Sequence, residues 1–230
     1  MTGPNFTCII PAFNEAERLP RVLAAVVGHR SIERVVVVDD GSDDGTGDVA
    51  LRCGAELLRT PENGGKTHAL RLGLETVRTS HVILIDADLL GLTPGVVSSL
   101  IAPIVAGDAY ASMSLRGNAP WVWRRIGIDY ISGERVFPMA LIADRLEALD
   151  HLRRFGFEVF LNKLLVARGR SIAIVQWPNV ASPAKAVKRG VWRGLLADVA
   201  MLIDIARTIG VTGFVGQIRQ LRHLSCPRGP

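Results

Sequence analysis

The chain has 230 residues, long enough for one domain with a sizeable core, and its composition of 48% hydrophobic and 21% charged residues excludes an intrinsically disordered protein. The three cysteines, Cys8, Cys53 and Cys226, are widely spaced and form no CxxC pair, which argues against a zinc site or a disulfide framework and fits a reducing cytosol. The N-terminal residues contain no basic segment followed by an apolar run, so we expect no signal peptide.

Strands and helices are predicted to alternate through the first 90 residues. Short apolar runs predict strands at 6–10, 35–38, 56–59 and 81–85. The segments between them predict three helices, at 16–29, 43–53 and 67–77. Asp43 or Asp44 is the predicted N-cap of the second helix. This order implies a parallel sheet with right-handed crossovers and helices on both faces.

The second half of the chain is less regular. It predicts helices at 94–106, 142–149 and 157–168, and strands at 109–116 and 171–176. The aromatic and basic stretch at 121–130 gives no prediction. A strongly apolar helix is predicted at 192–209, but four charged residues interrupt it, so we do not expect it to span a bilayer.

Positive charge is concentrated at the C-terminal end. Residues 185–230 contain eight Lys or Arg and two Asp, whereas the formal net charge of the whole chain is +5. We therefore predict a domain at 1–184, with halves at 1–90 and 91–184, and a basic amphipathic tail at 185–230. Such a tail suits an anionic membrane surface, on which its helix would lie in the interface, or it presents an ordinary solvated helix face.

Common nucleotide-binding and hydrolytic motifs are missing. The first predicted strand is followed by PAFNE at 11–15 and not by GxGxxG, which argues against a dinucleotide fold. The GGKT sequence at 64–67 lacks the upstream glycine of a P-loop, and neither HExxH nor GxSxG occurs. A nucleic-acid partner is not expected, because no basic and aromatic platform at a known spacing accompanies the charge.

Carboxylates follow two of the predicted strands. Asp39 and Asp40 end the Val-rich strand, and Asp86 and Asp88 follow the strand at 81–85. Open α/β sheets bind ligands at the carboxyl ends of their strands, where an Asp can accept hydrogen bonds from a nucleobase or a ribose. Asp86 and Asp88 flank a small residue and can both face this edge, an arrangement that is costly unless a cation neutralises it. Mg²⁺ or Mn²⁺, shared with substrate phosphates, is the expected ion.

Four motifs, PAFNE, VVVDDGSDDGT, NGGKTHALRLG and LIDADL, follow one another in the order and spacing of a known family. In this combination the chain resembles the family 2 glycosyltransferases, inverting enzymes with the glycosyltransferase A fold, and is similar to dolichyl-phosphate mannose synthases and bacterial polyprenyl-phosphate glycosyltransferases. The resemblance is clear over residues 6–90 and looser to about 178, through ISGERVFP and FGFEVFLN. It implies an α/β fold with a mostly parallel central sheet and helices on both faces.

The resemblance also implies roles for individual residues. Asp86 and Asp88 look like the family's metal-binding DxD motif, whose ion would bridge the donor diphosphate and stabilise it as it leaves. Asp40 would contact the base or the ribose, with Asp39 beside it. The nucleotide-binding residues implied in this way are Pro11, Ala12, Phe13, Glu15, Asp39, Asp40, Gly65, Lys66, Asp86 and Ala87.

Three residues of the second half are the predicted catalytic residues on the acceptor side. Inverting transfer needs a base, unless the acceptor is already an anion such as a phosphate. Glu158 falls where relatives keep an acid near the acceptor. Arg116 and Arg135 lie in segments that hold arginines for an acceptor or donor phosphate in the lipid-phosphate branch, a task that suits the guanidinium fork.

The chain departs from the family pattern at three positions. Relatives in the polyprenyl-phosphate branch often have a Gln two residues after the second Asp of the DxD motif, where this chain has Leu90. They also often carry further acids two and four residues after Glu158, where this chain has Phe160 and Asn162. The metal ion would therefore have fewer protein ligands, or would take a ligand from another part of the chain. The missing acids also weaken the assignment of Glu158 as the acid near the acceptor.

Together these features predict a cytoplasmic glycosyltransferase that moves a sugar from a UDP- or GDP-sugar to an acceptor, with inversion and with Mg²⁺ or Mn²⁺. A lipid or lipid-phosphate acceptor would be reached through a peripheral contact with the inner face of the membrane. One alternative is a sugar-phosphate nucleotidyltransferase, which should carry a Gly-rich, basic loop after its first strand. The other is a non-catalytic nucleotide-sugar-binding module. The sequence leaves the sugar, the base and the oligomeric state open.

Overall fold

The computed structural model describes residues 3–152, 156–183 and 210–228. These residues form one mixed sheet in the order β3-β2-β1-β4-β6-β5-β7-β8, with apolar cores on both faces. The strands are β1 (Phe6–Ala12), β2 (Ile32–Asp39), β3 (Glu56–Arg59), β4 (His81–Leu84), β5 (Ala111–Arg116), β6 (Arg135–Pro138), β7 (Ile172–Trp177) and β8 (Ser225–Arg228). The predicted α/β architecture with a mostly parallel sheet is confirmed.

The helices follow the predicted order with shifted ends. They are α1 (Leu19–Val26), α2 (Thr46–Arg52), α3 (Lys66–Glu75), α4 (Pro94–Val105), α5 (Trp121–Ile126), α6 (Gly156–Arg168) and α7 (Val211–Leu224), with 3-10 turns at Met139–Leu141 and Ala143–His151. The helix predicted at 16–29 is shorter, since Pro20 favours the first turn, where its missing N–H costs nothing. The predicted helix at 142–149 is a 3-10 segment, and the unassigned stretch at 121–130 contains α5.

The start of α2 corrects the predicted helix cap. The N-cap is Gly45, which has a φ of 84° and no side chain, and neither Asp43 nor Asp44 occupies that position. Asp44 lies one residue earlier, and its Oδ1 accepts a hydrogen bond from the backbone N–H of Thr46 at 2.9 Å. A carboxylate near the N-terminus of a helix is also favoured by the helix dipole.

Strand β6 was not predicted, because two of its four residues, Arg135 and Pro138, are atypical of a strand inside a sheet. It pairs antiparallel with both β4 and β5, and Arg135 lies opposite Leu84 and Met113 in the two ladders. The loop that precedes it, 127–134, therefore lies beside the ends of β4 and β5. This placement brings a distant part of the chain next to Asp86.

The C-terminal part of the described chain returns to the sheet. Helix α7 packs against α6, Phe214 contacts the rings of Trp123 and Tyr130 edge-on, and β8 pairs in parallel with β7. The predicted helix at 192–209 lies outside the described residues, and the predicted division after residue 184 stays a prediction. Over the residues that the structure covers, no helix combines the length and the apolar character that crossing a bilayer requires.

Close packing between α3 and β1 positions the first turn of α3. Leu70 of α3 and Ile9 of β1 belong to one buried core. A Cβ atom at Gly73 would lie only 2.6 Å from Cγ2 of Ile9, so the helix rests directly on the strand. Since α3 begins at the carboxyl edge of the sheet, this contact holds Lys66 above that edge.

Candidate functional site

A cavity of about 320 Å³ opens at the carboxyl edge of the sheet, where β1, β2 and β4 end and α3 begins. Four chain segments form its walls: PAFNE at the end of β1, Asp40 directly after β2, the loop before α3 with the start of that helix, and the residues after β4. The lining residues are Pro11, Ala12, Phe13, Glu15, Asp40, Asn63, Gly65, Lys66, Ala69, Asp86, Ala87 and Asp88. Ligand-binding pockets usually span roughly 300–1,000 Å³, so the volume of this cavity lies at the lower end of that range.

Every residue that the sequence predicts for nucleotide or metal binding lines this cavity, except Asp39. The side chain of Asp39 is fully buried; its Oδ1 accepts from the N–H of Ser42 at 3.0 Å, and its Oδ2 lies 3.4 Å from Nε of Arg59. These contacts give Asp39 a structural role in the turn after β2. The sequence reasoning assigned no role to Asn63 and Ala69, although both lie within the NGGKTHALRLG motif at 63–73 and Asn63 is its first residue.

Asp40 anchors the loop that forms one wall of the cavity. Its carboxylate is 3% exposed, and it accepts hydrogen bonds from the N–H of Gly64 at 3.0 Å and from the N–H of Gly65 at 2.7 Å. The backbone N–H of Asp40 donates to the carbonyl of Ala12 at 2.9 Å. Asp40 therefore joins the segment after β1 to the loop before α3. Gly65 has a φ of 90°, a conformation that favours glycine, which explains this residue type at the loop's end.

Lys66 connects acids from both halves of the chain. Its Nζ donates to Oδ1 of Asp86 at 2.8 Å and lies 3.4 Å from Oε1 of Glu158. Partial desolvation would lower the pKa of Lys66, but these two carboxylates outweigh it and leave the pKa above its ordinary value. Burial would raise the pKa of Asp86, but Lys66 and Arg116 hold it below its usual range. Lys66 and Asp86 are therefore both charged at neutral pH.

The negative charge of Asp88 is less well compensated by nearby cations than the charge of Asp86. Burial, together with the carboxylates of Asp86 and Glu15, raises the pKa of Asp88 to about 6. Two neighbouring carboxylates at the wall of a cavity are the hard oxygen ligands that Mg²⁺ and Mn²⁺ prefer. Within the described ranges no group of three His, Cys, Asp or Glu side chains is arranged to hold a metal, so such an ion would draw its other ligands from water and from substrate phosphates.

Glu158 and Arg135 lie next to each other behind the cavity. Glu158 is in the first turn of α6 and is 4% exposed. Arg135 is almost fully buried: its Nε donates to the carbonyl of Ser132 at 2.7 Å, its Nη2 to the carbonyl of Tyr130 at 2.9 Å, and its Nη1 to Oδ1 of Asn162 at 2.6 Å. The guanidinium thus braces the loop before β6 against α6. The contact of Arg135 with a phosphate stays a prediction, and Asn162 is explained as its neutral buried partner.

Arg116, at the end of β5, faces two buried acids that the sequence reasoning did not identify. Its guanidinium lies 3.6 Å from Oδ2 of Asp129 and 3.4 Å from Oε1 of Glu134, and both carboxylates are fully buried. Burial raises the pKa of Asp129 to about 6, although Arg116 opposes this effect. In the described part of the chain, both oxygens of Asp129 and Oε1 of Glu134 lack a hydrogen-bond partner. Arg116 also interacts with the charges of Asp86 and Asp88, so it links these buried acids to the cavity.

A family model with the description "Glycosyl transferase family 2" matches residues 7–162. This chain belongs to glycosyl transferase family 2. Uncharacterized glycosyltransferases of Mycobacterium tuberculosis and Mycobacterium bovis are 36% identical to this family 2 glycosyltransferase over 228 residues, which cover 91% of this chain and 100% of theirs. The dolichyl-phosphate beta-glucosyltransferase ALG5A of Trichomonas vaginalis is 36% identical over 94 residues, 35% of this chain and 29% of that protein.

The fold of this family 2 glycosyltransferase is shared with solved structures. Glucosyl-3-phosphoglycerate synthase from Mycobacterium tuberculosis, in complex with Mn²⁺, UDP-glucose and phosphoglyceric acid, matches it with a TM-score of 0.68 at 19% sequence identity, over 94% of this chain and 80% of that one. A second structure of the same synthase, with phosphoglyceric acid, matches with a TM-score of 0.67. The predictions of a glycosyltransferase and of the glycosyltransferase A fold are confirmed.

Proposed function

We propose that this family 2 glycosyltransferase transfers a sugar from a UDP-sugar that it binds in the cavity at the carboxyl edge of the sheet. The proposal rests on the convergence, in one cavity, of the loop anchored by Asp40, the PAFNE segment and the acids at Asp86 and Asp88. UDP is preferred to GDP as the nucleotide because a protein of the same fold is bound to UDP-glucose. The roles of individual residues are part of this proposal.

The charges around the cavity suit a diphosphate held together with a divalent ion. Asp86, Asp88 and Lys66 carry a net charge of about −1 when all three are ionised, which attracts a divalent cation and leaves an excess of positive charge once the ion is bound. Asp86 and Asp88 would hold Mn²⁺ or Mg²⁺, and Lys66 lies on the same side of the cavity. When bound, the ion supplies positive charge that stabilises the departing diphosphate.

The acceptor side is proposed from Glu158 and its surroundings. Glu158 is 3.4 Å from Lys66 and so lies close to the donor side of the site. As the base it would take the proton of an acceptor hydroxyl and permit inversion, whereas a phosphate acceptor is already an anion and needs no base. One relative is named for dolichyl phosphate, and the structural neighbour is bound to phosphoglyceric acid. Since both molecules carry a phosphate, we infer a phosphate-bearing acceptor, with a lipid phosphate as the preferred form.

A nucleotide panel tests the donor site directly. We expect UDP with Mn²⁺ to raise the midpoint of thermal unfolding by about 5 to 10 °C at a hundredfold excess over Kd, because a ligand that binds only the native state stabilises it by about 2.7 kcal/mol at that ratio. UDP without metal should give a much smaller shift. CDP serves as the control for non-specific binding of a diphosphate, whereas dTDP, whose base presents the same ring N–H and carbonyl groups as uracil, tests the contribution of the ribose and of the 5-position of the base. A shift with GDP and not with UDP would mean that the donor is a GDP-sugar. No shift with UDP, GDP, CDP or dTDP would contradict the proposal.

Turnover separates the proposed enzyme from the two alternatives. A transferase releases UDP from UDP-glucose in the presence of Mn²⁺ and a phosphate-bearing acceptor, and slowly also with water as the acceptor. A nucleotidyltransferase would instead make a nucleotide sugar and pyrophosphate from UTP and a sugar phosphate. A binding module without catalysis would show the thermal shift with UDP but release no UDP from UDP-glucose.

The C-terminal segment is proposed to contact an anionic membrane surface, which would bring a lipid acceptor within reach. Helix α7 exposes Arg219, Arg222 and His223, and Val215 is 57% exposed beside them. We expect the protein to float with vesicles that contain phosphatidylglycerol and not with phosphatidylcholine alone. Reversing both charges, Arg219→Glu with Arg222→Glu, should weaken vesicle binding at least tenfold, since each basic residue at such a surface contributes about 1 kcal/mol.

The matched control for flotation is Arg52→Glu, which reverses an exposed charge at the end of α2. This variant should float like the wild type. Equal recovery of the wild type with both kinds of vesicle, or equal loss of binding in the control and in the α7 variant, would contradict the proposed membrane contact.

A further inference from the structure

We propose that Asn63 is the residue that selects the nucleobase, and that its side-chain amide reads a carbonyl oxygen of uracil. The inference rests on the proposed function, since it requires a nucleoside diphosphate in the cavity. Asn63 lines that cavity in the loop between β3 and α3. The sequence motifs gave it no role, and the structure places it beside the residue that the motifs assign to the base, Asp40.

Asp40 by itself cannot distinguish the bases that carry a ring N–H. An ionised carboxylate only accepts hydrogen bonds, so it rejects the bare ring nitrogen of cytosine but accepts uracil and guanine alike. The carboxylate of Asp40 also accepts hydrogen bonds from the backbone N–H groups of Gly64 and Gly65, so only part of its acceptor capacity is left for a ligand in the cavity that it lines. Recognition of the carbonyl next to the ring N–H requires a hydrogen-bond donor from a second residue.

Asn63 is placed to supply that donor. The charged side chains at the cavity wall have partners of their own or belong to the proposed metal site: Glu15 pairs with Arg18 at 2.9 Å, and Lys66 pairs with Asp86. The side chain of Asn63 is neutral and exposed, and it carries both a donor and an acceptor. Across residues 3–152, 156–183 and 210–228, no hydrogen bond occupies its amide. The amide is therefore available to a ligand.

The backbone at Asn63 is fixed although its side chain is free. The next residue, Gly64, donates its N–H to Oδ1 of Asp40. On the other side, the loop lies directly against Gly41, where a Cβ atom would be 2.8 Å from the backbone nitrogen of Asn63. Asp40 and Gly41 thus hold the loop from both sides. A side chain on a fixed backbone loses less conformational entropy when it binds a ligand, which favours its use in selecting the nucleobase.

The arrangement favours uracil over cytosine. Asp40 can accept from the ring N–H of uracil while Asn63 donates to the carbonyl oxygen at the 4-position, whereas cytosine has a bare ring nitrogen and an amino group at these two positions. Guanine offers a similar pair, so these two side chains separate uracil from cytosine, and the preference for uracil over guanine rests on the proposed UDP donor. Asn63 thus deepens the proposed function by assigning the base of the donor.

The test compares Asn63→Ala with Asn118→Ala, both in the full chain, by calorimetric titration of UDP, CDP and inorganic pyrophosphate in the presence of Mn²⁺. Asn118 is an exposed Asn outside the cavity whose amide donates to the carbonyl of Ser182 at 2.7 Å, and its replacement should change none of the three affinities. We expect Asn63→Ala to weaken UDP roughly fivefold to tenfold, the effect of one hydrogen bond, and to leave pyrophosphate within about twofold. Asn63→Asp should weaken UDP further, because an acceptor then faces the carbonyl oxygen.

The outcomes separate the inference from the proposed function. Unchanged UDP affinity in Asn63→Ala would overturn the role of Asn63 and leave the donor site intact. An equal loss of affinity for UDP and for pyrophosphate would also overturn it, because the substitution would then have disturbed the loop and not a contact with the base. If the wild type bound GDP or CDP more tightly than UDP, the assignment of uracil would be wrong. Failure of the wild type to bind any diphosphate with Mn²⁺ would remove the proposed function itself, and the inference with it.

Discussion

Replacement of Asp88 by Asn is expected to abolish the stabilisation by UDP with Mn²⁺ and to lower the rate of sugar transfer at least a hundredfold. Loss of one group that stabilises charge in a transition state commonly costs about 10²- to 10³-fold. Asp88 is suited to a cation because its carboxylate is poorly compensated beside Asp86 and Glu15. The measurements are thermal unfolding with and without ligand, and initial rates of UDP release from UDP-glucose.

The same replacement should make the ligand-free protein more stable. A carboxyl whose pKa is raised on folding destabilises the folded state at every pH at which it is ionised, and Asn removes that cost. The rise of the Asp88 pKa from 3.8 to about 6 corresponds to about 3 kcal/mol, which partial exposure to solvent reduces to about 1 kcal/mol, or about 2 to 4 °C in the unfolding midpoint. The gain should be largest near pH 7.5 and smaller at pH 5, where the folded carboxyl is already protonated.

The control for both effects is Asp43→Asn, an exposed acid on the turn after β2 that lies outside the cavity. It should behave like the wild type with UDP and Mn²⁺ and should not be stabilised in their absence. An Asp88→Asn protein that still shows the full metal-dependent shift would argue against Asp88 as a metal ligand. An Asp88→Asn protein that loses the metal-dependent shift but is less stable than the wild type without ligand would contradict the idea that the Asp88 carboxylate destabilises the ligand-free protein.

Replacement of Arg116 by Met is expected to lower the free energy of unfolding by about 3 to 5 kcal/mol, the usual cost of removing one partner from a buried ion pair. Arg116 is the cation nearest to the fully buried Asp129 and Glu134 in the ion pairs that the structure describes. Without it, Asp129 would be left with the weaker influence of the Arg135 charge. Glu134 would be left with the hydrogen bonds that its Oε2 accepts from the hydroxyls of Ser114 and Ser132. Urea unfolding at pH 8 measures the loss, and Arg124→Met, which removes an exposed arginine of α5, is the matched control.

The pH dependence identifies the cause of that loss. The pKa of Asp129 is already raised to about 6, and removal of Arg116 should raise it further. The folded state then binds more protons than the unfolded state above pH 4, so the variant should recover stability as the pH falls from 8 to 5.5. Adding Glu134→Gln and Asp129→Asn to Arg116→Met should recover part of the loss at pH 8. A deficit that does not change with pH, and is not relieved by these changes, would point to lost packing instead.

The pocket-lining acids illustrate how far the sequence could lead. Asp40, Asp86 and Asp88 were identifiable because the Val-rich strand and the strand before Asp86 are recognisable from local pattern, and parallel strands deliver their carboxyl ends to one edge. Local pattern alone could not tell Asp39 from Asp40, and only the family resemblance assigned the nucleotide contact to Asp40. Both end the same strand, and only packing shows that Asp39 lies in the turn with Ser42 while Asp40 faces the cavity.

Contacts between distant segments were beyond the reach of local pattern. The ion pair of Lys66 with Glu158 joins α3 to α6. The cluster of Arg116, Asp129 and Glu134 depends on the antiparallel β6, whose sequence RVFP shows no strand pattern.

The sequence by itself determined the α/β class, the family, and the edge of the sheet at which the site lies. These follow from short-range periodicity and from motifs in which the chemistry and the chain direction are local. The tertiary structure decided which acids are neutralised, which arginines are buried, and that Asn63 stands free at the cavity wall. Burial and charge compensation depend on the distances between segments far apart in the chain, and those distances are set by how the helices pack on the sheet.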